Sequence, residues 1–403
     1  MRNPPDTGTS PAAPPSYRSL FAFPPYRRLW AGQTLSLLGD SIARVAMPVL
    51  VVSISGNANI LPLLFALQQV PWLLGPFAGI LADRFDRRSI VRIALAIEAV
   101  SILGIGCTSS VETILVLAFV AGCCQVVQAP ARAAGMPELL GGLFSVGLAA
   151  TTATIQISEV VGQAVGGLLM LEISARVLLV ADAVSFLFYA FLVPKLPNAS
   201  SRAAANRPSI THGFRRLWND TSLRSVVSVM IARGLTLTAA LLSLPYAIVV
   251  HRQGGPVSFG LLVSVMTFSL TVGSLLTGKL AKIENGARAL LATTIVAGLA
   301  VVPIVVNPPL PVIAVFLAVG ALLFAPGNII ANGMLSLRAE PDERGQVIAA
   351  AFVMIKAGQV VGGLAMVGVL ELCRPAEALA IAGAALALLT IGLWPAARWS
   401  WEG

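Results

Sequence analysis

The sequence predicts an all-α membrane protein of twelve transmembrane helices in two six-helix bundles, with both termini cytoplasmic. Three observations carry this prediction. Of 403 residues, 57% are hydrophobic and only 11% are charged, whereas a soluble domain carries about 25% charged residues to coat its surface. The mean hydropathy is +0.85, more than one anchor on a soluble body could produce. The basic residues are confined almost wholly to alternate loops. A soluble enzyme, a secreted disulfide scaffold and an anchored DNA-binding domain are excluded together.

The elements follow in chain order. Residues 1–26 are rich in Pro, Ser and Ala without an apolar core, so they read as a disordered cytoplasmic tail rather than a signal peptide. A helix needs about 20 apolar residues to cross the hydrocarbon. Runs of that length recur at 29–53, 60–82, 89–109, 113–133, 145–171 and 176–194, the expected N-terminal bundle 27–194. They are about twice as long as a barrel strand needs. The stretch 195–222, with its Pro, Asn and Arg residues, reads as a cytoplasmic linker. The C-terminal bundle, 223–395, has runs at 223–250, 258–281, 287–306, 310–334, 346–372 and 376–395, and 396–403 reads as a short cytoplasmic tail.

Of the 27 basic residues, 21 lie on the side of the termini and linker, while the opposite loops hold only Arg176, Arg252 and Arg374. Lys and Arg collect on the cytoplasmic side. The net charge of +9 is therefore topology and needs no nucleic-acid partner. Cys107, Cys123, Cys124 and Cys373 form no CxxC pair, and His212 and His251 lie far from acidic clusters. No metal or other cofactor is implied. Arg outnumbers Lys 23 to 4 and Ala is abundant, which suggests a GC-rich bacterial genome and hence a bacterial plasma membrane.

An internal repeat supports the two-bundle division. Residues 162–170 and 358–366 agree at seven of nine positions, 196 residues apart. Spans two, five, eight and eleven carry small residues four apart, among them Gly162/Gly166 and Gly358/Gly362, which let helix backbones approach closely. Spans one, four, seven and ten carry polar residues at helical spacing: Asp40 and Arg44; Gln125, Gln128 and Arg132; Arg233, Thr236 and Ser243; Asn328 and Asn332. Interhelical hydrogen bonding would account for any one stripe. Their recurrence at every third helix points to a shared polar cavity.

Seven ionisable residues fall inside spans: Asp40, Arg44, Glu98, Glu159, Asp182, Arg233 and Lys356. Each costs about 2.5–3.5 kcal/mol at the bilayer centre. Together facing lipid they would cost about 20 kcal/mol, more than a fold's net stability, so they face protein or water. Asp40 and Arg44, four apart, form the expected local pair. By the repeat offset Glu159 lies almost level with Lys356.

Gly79-Ile-Leu-Ala-Asp83-Arg84-Phe-Asp86-Arg87-Arg88, between spans two and three, resembles motif A of the major facilitator superfamily. Asp86 stands in place of the usual second glycine, as in the branch of macrolide-efflux-like and enterobactin-exporter-like proteins. Leu38-Gly-Asp40 and Pro341-Asp-Glu-Arg-Gly345 also resemble that branch, and the likeness covers 27–395. Gly162-Gln163-Ala-Val-Gly166-Gly167 resembles motif C, the antiporter motif, with Gln163 replacing its proline and Ser158 an earlier glycine.

The resemblance implies a secondary transporter, not an enzyme, working by alternating access: proton-driven efflux of a small amphipathic molecule such as a drug, antibiotic or secondary metabolite. A facilitator-type importer, a siderophore exporter or a lipid flippase of the same fold are the alternatives. The expected partners are that small molecule, protons and the lipid bilayer, with the protein a monomer. Asp40 is the first candidate proton carrier and Glu159 the second, with Arg44 or Lys356 gating release; a static ion pair is the alternative for each. Glu98 and Asp182 lie on spans that pack outside the cavity in the family, which implies structural roles. Asp83 would contact the start of span eleven, whose helix N-terminus attracts an anion. Arg84, Arg87 and Arg88 would bind carboxylates or lipid headgroups. An ATPase is excluded, because Leu280 stands where the near-match Gly273–Lys279 needs a Ser or Thr for Mg²⁺. A channel is excluded by the two-fold repeat and the lack of a filter loop. Asp83→Asn is expected to impair transport while the protein still reaches the membrane, measured by uptake in vesicles and immunoblot of membrane fractions.

Overall fold

The computed structural model describes residues 16–196, 210–280, 286–340 and 343–399, without the side chains of 83, 210, 278–280 and 394–399. Every regular element among them is helical. The N-terminal set comprises α1 (Tyr17–Ala22), α2 (Pro24–Ser55), α3 (Leu61–Gln69), α4 (Gly75–Arg84), α5 (Arg87–Cys107), α6 (Val111–Leu140), α7 (Phe144–Leu169) and α8 (Ala175–Leu192). The C-terminal set comprises α9 (Ile210–Asn219), α10 (Thr221–Arg233), α11 (Ala239–His251), α12 (Pro256–Leu280), α13 (Gly286–Val301), α14 (Leu310–Arg338), α15 (Arg344–Leu372) and α16 (Pro375–Trp399).

Local chemistry sets the boundaries. Ser110 accepts from the Thr113 N–H at 3.2 Å to open α6, and Asp220 accepts from Ser222 and Leu223 at 2.9 and 3.2 Å to open α10. α2 begins on two prolines, whose missing N–H groups are orphans there anyway, and ends at Gly56 in the left-handed region. Span two is not one straight helix: a 3₁₀ turn at Val70–Leu74, carrying Pro71, separates α3 from α4. In span seven a π-helical turn, Gly234–Thr238, joins α10 to α11.

Among the described residues, eleven stretches are long and apolar enough to cross a membrane. One of them, Val111–Leu169, is 59 residues long and contains α6, a 3₁₀ turn at Gly141–Leu143, and α7. The outward faces carry large exposed apolar residues, including Phe77, Ile93, Val100, Phe191, Leu275 and Leu388, which suits lipid rather than water.

Two expectations need correction. The tail 1–26 is not wholly irregular: Ser16 and Ser19 form a capping box that starts α1, and α2 starts at Pro24. Leu20 and Tyr26 are fully buried there, with Tyr26 Oη donating to Gly147 O at 3.4 Å. The linker 195–222 contains α9, an amphipathic helix seated on α15. Gly213 makes the close approach possible, since a Cβ there would lie 2.7 Å from the Gln346 carbonyl carbon. Neither stretch has the unbroken apolar run that announces a span, so short amphipathic helices escaped the reading.

Within the N-terminal set, α2 packs on α7 and α8, and α5 on α6 and α8; within the C-terminal set, α14 packs on α12 and α13, and α13 on α16. The sets meet where α7 lies along α12 and where α3 lies along α15. The repeat explains this seam. Gly162 and Gly166 face Ser41 and Ile42 of α2, while Gly167 faces the backbone of Val257 and Gly260 of α12. In the second copy Gly358 and Gly362 face Ile231 and Leu235, and Gly363 faces Pro62 and Ala66 of α3. Each copy therefore uses two glycines inside its own set and the third across the seam.

The seam is tied at one end. Turns at 56–60, 170–174, 252–255 and 373–374 lie at that end, where Asn59 Nδ2 donates to Leu370 O at 3.3 Å. Towards mid-helix follow Ser264 Oγ to Val160 O at 2.8 Å, Thr267 Oγ1 to Gln163 Oε1 at 2.9 Å, Gln156 Nε2 to Thr271 Oγ1 at 2.9 Å, and Lys356 Nζ to Gln69 Oε1 at 2.7 Å. Beyond these, α4 makes only slight contact with α15. Gly167→Val is expected to lower the melting temperature of the purified protein, since overpacking costs about 1–3 kcal/mol. Gly333→Val, at a position with no neighbour within 4 Å, is expected to stay within about 0.5 kcal/mol of wild type.

Candidate functional site

Midway along α2, Asp40 stands in a group of ionisable side chains contributed by five helices. It interacts electrostatically with Arg44, Arg132 of α6 and Glu159 of α7. Glu98 of α5, 1% exposed, accepts from Gln125 Nε2 at 2.9 Å and Gln128 Nε2 at 2.7 Å. Asp182 of α8, 2% exposed, accepts from Ser185 Oγ at 3.3 Å and senses Asp40 and Glu98. Gly39 admits it: a Cβ there would lie 3.3 Å from Asp182 Cγ.

The expected local pair Asp40–Arg44 is corrected. The ion pair of Arg44 is with Glu159, Nη1 to Oε1 at 2.7 Å. Residues four apart share a face, but the long guanidinium reaches past its own helix to the carboxylate on α7. Glu98 and Asp182, on the spans expected outside the cavity, are each in electrostatic reach of Asp40. Gln125 and Gln128 of the polar face of span four bond to Glu98. Arg132, counted among the loop cations, lies within α6 and interacts with both Asp40 and Glu98. Its helical spacing places it on the same face of span four as Gln125 and Gln128.

Mid-span, the described residues of the C-terminal set include two cations, Arg233 and Lys356, and no acid. Arg233, 1% exposed, donates to Thr294 Oγ1 at 2.7 Å, Phe324 O at 2.6 Å and Asn328 Oδ1 at 3.4 Å, with its guanidinium 3.6 Å from the Phe324 ring centroid. Gly327 leaves room for it, as a Cβ there would lie 2.8 Å from Cζ. Asn332 is exposed and donates to Asn328 O of its own helix at 2.9 Å. Thr236 and Ser243 bond their own helix carbonyls and are buried, so they form no open polar stripe. Lys356 bonds Gln69 and is not brought to Glu159, whose partner is Arg44.

In motif A, Arg87 is 3% exposed and donates to Ala134 O at 3.3 Å and Glu138 Oε2 at 3.2 Å, and Arg88 Nε donates to Val193 O at 3.1 Å. Asp86 accepts from the Ser89 N–H at 2.8 Å and so caps α5, a task its glycine counterpart could not perform. Arg84 is exposed at the end of α4, and around Gly79 a Cβ would meet nothing within 4 Å. The side chain of Asp83 lies outside the described residues. Near the start of α15, Glu343 instead pairs with His212 at 3.3 Å and Arg216 at 3.4 Å of α9. Thr294→Val is expected to destabilise the protein by about 1–3 kcal/mol by taking an acceptor from a buried cation. In an Arg233→Met background the same change should be near neutral, a double-mutant cycle read by thermal melts.

Comparison with known proteins agrees with this architecture. The Major Facilitator Superfamily model matches residues 29–363. Over 346 residues the chain is 28% identical to the multidrug efflux pump Tap of Mycobacterium tuberculosis, covering 78% of this chain and 79% of that one. Two solved structures share the fold at 14% identity. A variant of the nucleoside transporter NupG gives a TM-score of 0.78, covering 92% of this chain and 99% of that one. A bacterial homologue of the iron transporter ferroportin, in an inward-facing state, gives 0.72, covering 95% and 99%. This chain belongs to the Major Facilitator Superfamily of transporters and is a multi-pass protein of the bacterial plasma membrane.

Proposed function

We propose that the chain is a proton-driven exporter of small amphipathic molecules, working by alternating access of two bundles, 27–194 and 223–395. The observation that carries the reading is charge balance at mid-membrane. Asp40, Glu98, Asp182 and Glu159 share two guanidiniums, Arg44 and Arg132. Full ionisation would leave two net negative charges in a setting where an isolated ion is severely penalised. Neutrality there requires two protons. Asp40, in electrostatic reach of both arginines, is the carrier in this reading. Arg44, with 56% of its side chain exposed, is the cation whose movement releases or recaptures the proton.

Several further observations support it. At 1.5 Å per residue the 59-residue stretch would be about 90 Å long, about three hydrocarbon thicknesses. Counting its two helices separately makes twelve spans. The arginine distribution places the termini in the cytoplasm, so the tied end of the seam faces outward and the parted end inward. Motif A is the latch of the opposite state: Asp83 would meet the start of α15 once α4 closes on it, with Arg87 and Arg88 fixing the α4–α5 turn. Gly162, Gly166 and Gly167 supply the close-packed surface on which the bundles rock. The direction follows the relative named as an efflux pump. One proton crossing 100 mV delivers about 2.3 kcal/mol, enough to hold roughly a fifty-fold gradient.

The test uses inverted membrane vesicles and a panel of fluorescent amphipathic compounds, with and without uncoupler. Uncoupler-sensitive accumulation of at least one compound is expected. In Asp40→Asn that accumulation should fall about tenfold or more, while exchange of the same compound without a gradient persists. Accumulation indifferent to both uncoupler and Asp40→Asn would sink proton coupling, and movement of no compound would sink export.

A further inference from the structure

Arg233 and Lys356, the two mid-span cations of the C-terminal set, join no carboxylate among the described residues, and they differ in how fully they are occupied. Arg233 has three acceptors, a ring face and 1% exposure, so it has no room for a ligand. Lys356 has three N–H donors and one hydrogen bond, to Gln69 Oε1 at 2.7 Å; among the described residues it joins no ion pair. Its ammonium lies 5.3 Å from the Trp72 ring centroid and 5.4 Å from that of Phe352. Such contacts return about 0.5–2 kcal/mol, less than the about 2.5–3.5 kcal/mol a lysine costs at mid-membrane. An intramembrane lysine without a counter-ion marks a functional site.

The surroundings state what it would take. Trp72 and Phe352 meet edge to face across the seam, 5.8 Å between centroids at 70°, and Phe352 is 41% exposed. Trp72 is held there by the 3₁₀ turn that interrupts span two. The two rings lie on the seam just before α4, which makes only slight contact with α15. The Gln69 amide nitrogen adds a second polar donor beside the ammonium.

We propose that Lys356, Gln69, Trp72 and Phe352 form a binding site for an aromatic organic anion, its carboxylate or sulfonate on the ammonium and Gln69 amide and its ring against the two aromatic side chains. This rests on the transporter reading above and names the substrate class of its seam. The two remaining N–H donors of the ammonium and the Gln69 amide N–H can meet the anion while the Lys356–Gln69 bond across the seam stays in place.

The experiment measures quenching of tryptophan fluorescence by naphthoate in the full-length protein in lipid nanodiscs, with Trp72→Phe reporting the signal owed to that ring and tetraphenylphosphonium as an aromatic cation. Naphthoate should quench saturably in wild type, and Lys356→Gln should weaken it about tenfold or more, which corresponds to 1.4 kcal/mol. Lys356→Arg should retain affinity within about threefold, and tetraphenylphosphonium should lose nothing in Lys356→Gln, since that change removes no attraction for a cation. If Lys356→Gln does not yield folded protein, Gln69→Leu should weaken naphthoate about threefold or more, within the range a single hydrogen bond supplies. Equal naphthoate affinity in wild type and variant, or no saturable quenching in wild type, overturns the proposal. Because binding needs no gradient, failure of proton-driven export in Asp40→Asn leaves this measurement intact, and the two readings fail separately.

Discussion

An ionised side chain inside a bilayer can be satisfied only by other parts of the same protein, and that constraint organises this molecule. It draws five helices of the N-terminal set around Asp40, because no single helix can offer enough partners at one depth. It also explains why the C-terminal set is built differently. Arg233 is held by a threonine, a backbone carbonyl, an asparagine and a ring face, none of them charged. The two sets thus differ in kind, with carboxylates and guanidiniums grouped on one side of the seam and a cation among neutral partners on the other.

The seam itself depends on the absence of side chains. Gly167 against Gly260, and Gly363 against Pro62 and Ala66, bring backbones together where bulk would hold them apart. Hydrogen bonds between Gln163 and Thr267 and between Gln156 and Thr271 then give a polar register to otherwise smooth surfaces. In hydrocarbon such bonds are each worth about 1 kcal/mol, weak enough to be exchanged one set for another. Gln163 occupies the position where motif C has proline, and its amide takes on seam contact in place of a kink.

Much of this was legible in the sequence because hydropathy, charge asymmetry and repeat length are linear signals. The glycines at 162, 166, 167 and 358 could be read from spacing alone, since helical period converts sequence separation into a face. The partner of Arg44 could not. An i, i+4 neighbour is visible in the sequence, whereas Glu159, 115 positions away, becomes a neighbour only once α2 and α7 pack. Arg132 carries two signals at once, a place on the polar face of span four and a cation near the end of an apolar run; its helix continues to Leu140, which sets it within the span. The helices α1 and α9 lack the long apolar run that hydropathy detects, so only packing on α7 and α15 reveals them.

The π-helical turn at Gly234–Thr238 sets a limit on how span seven can change. A π turn holds one residue more than the α-helical turn it interrupts, and each residue of an α-helix advances the chain by about 100°. Arg233 stands just before this turn and Ser243 and Tyr246 beyond it. Rewound as regular α-helix with all its residues, the span would carry one residue too many for its register, and one side would rotate by about 100° relative to the other. Either the guanidinium would leave Thr294 and Phe324, or Tyr246 would leave its ring contact with Phe259. The π turn therefore holds both faces of the span in place, and only a chain one residue shorter here could run as regular helix without disturbing them.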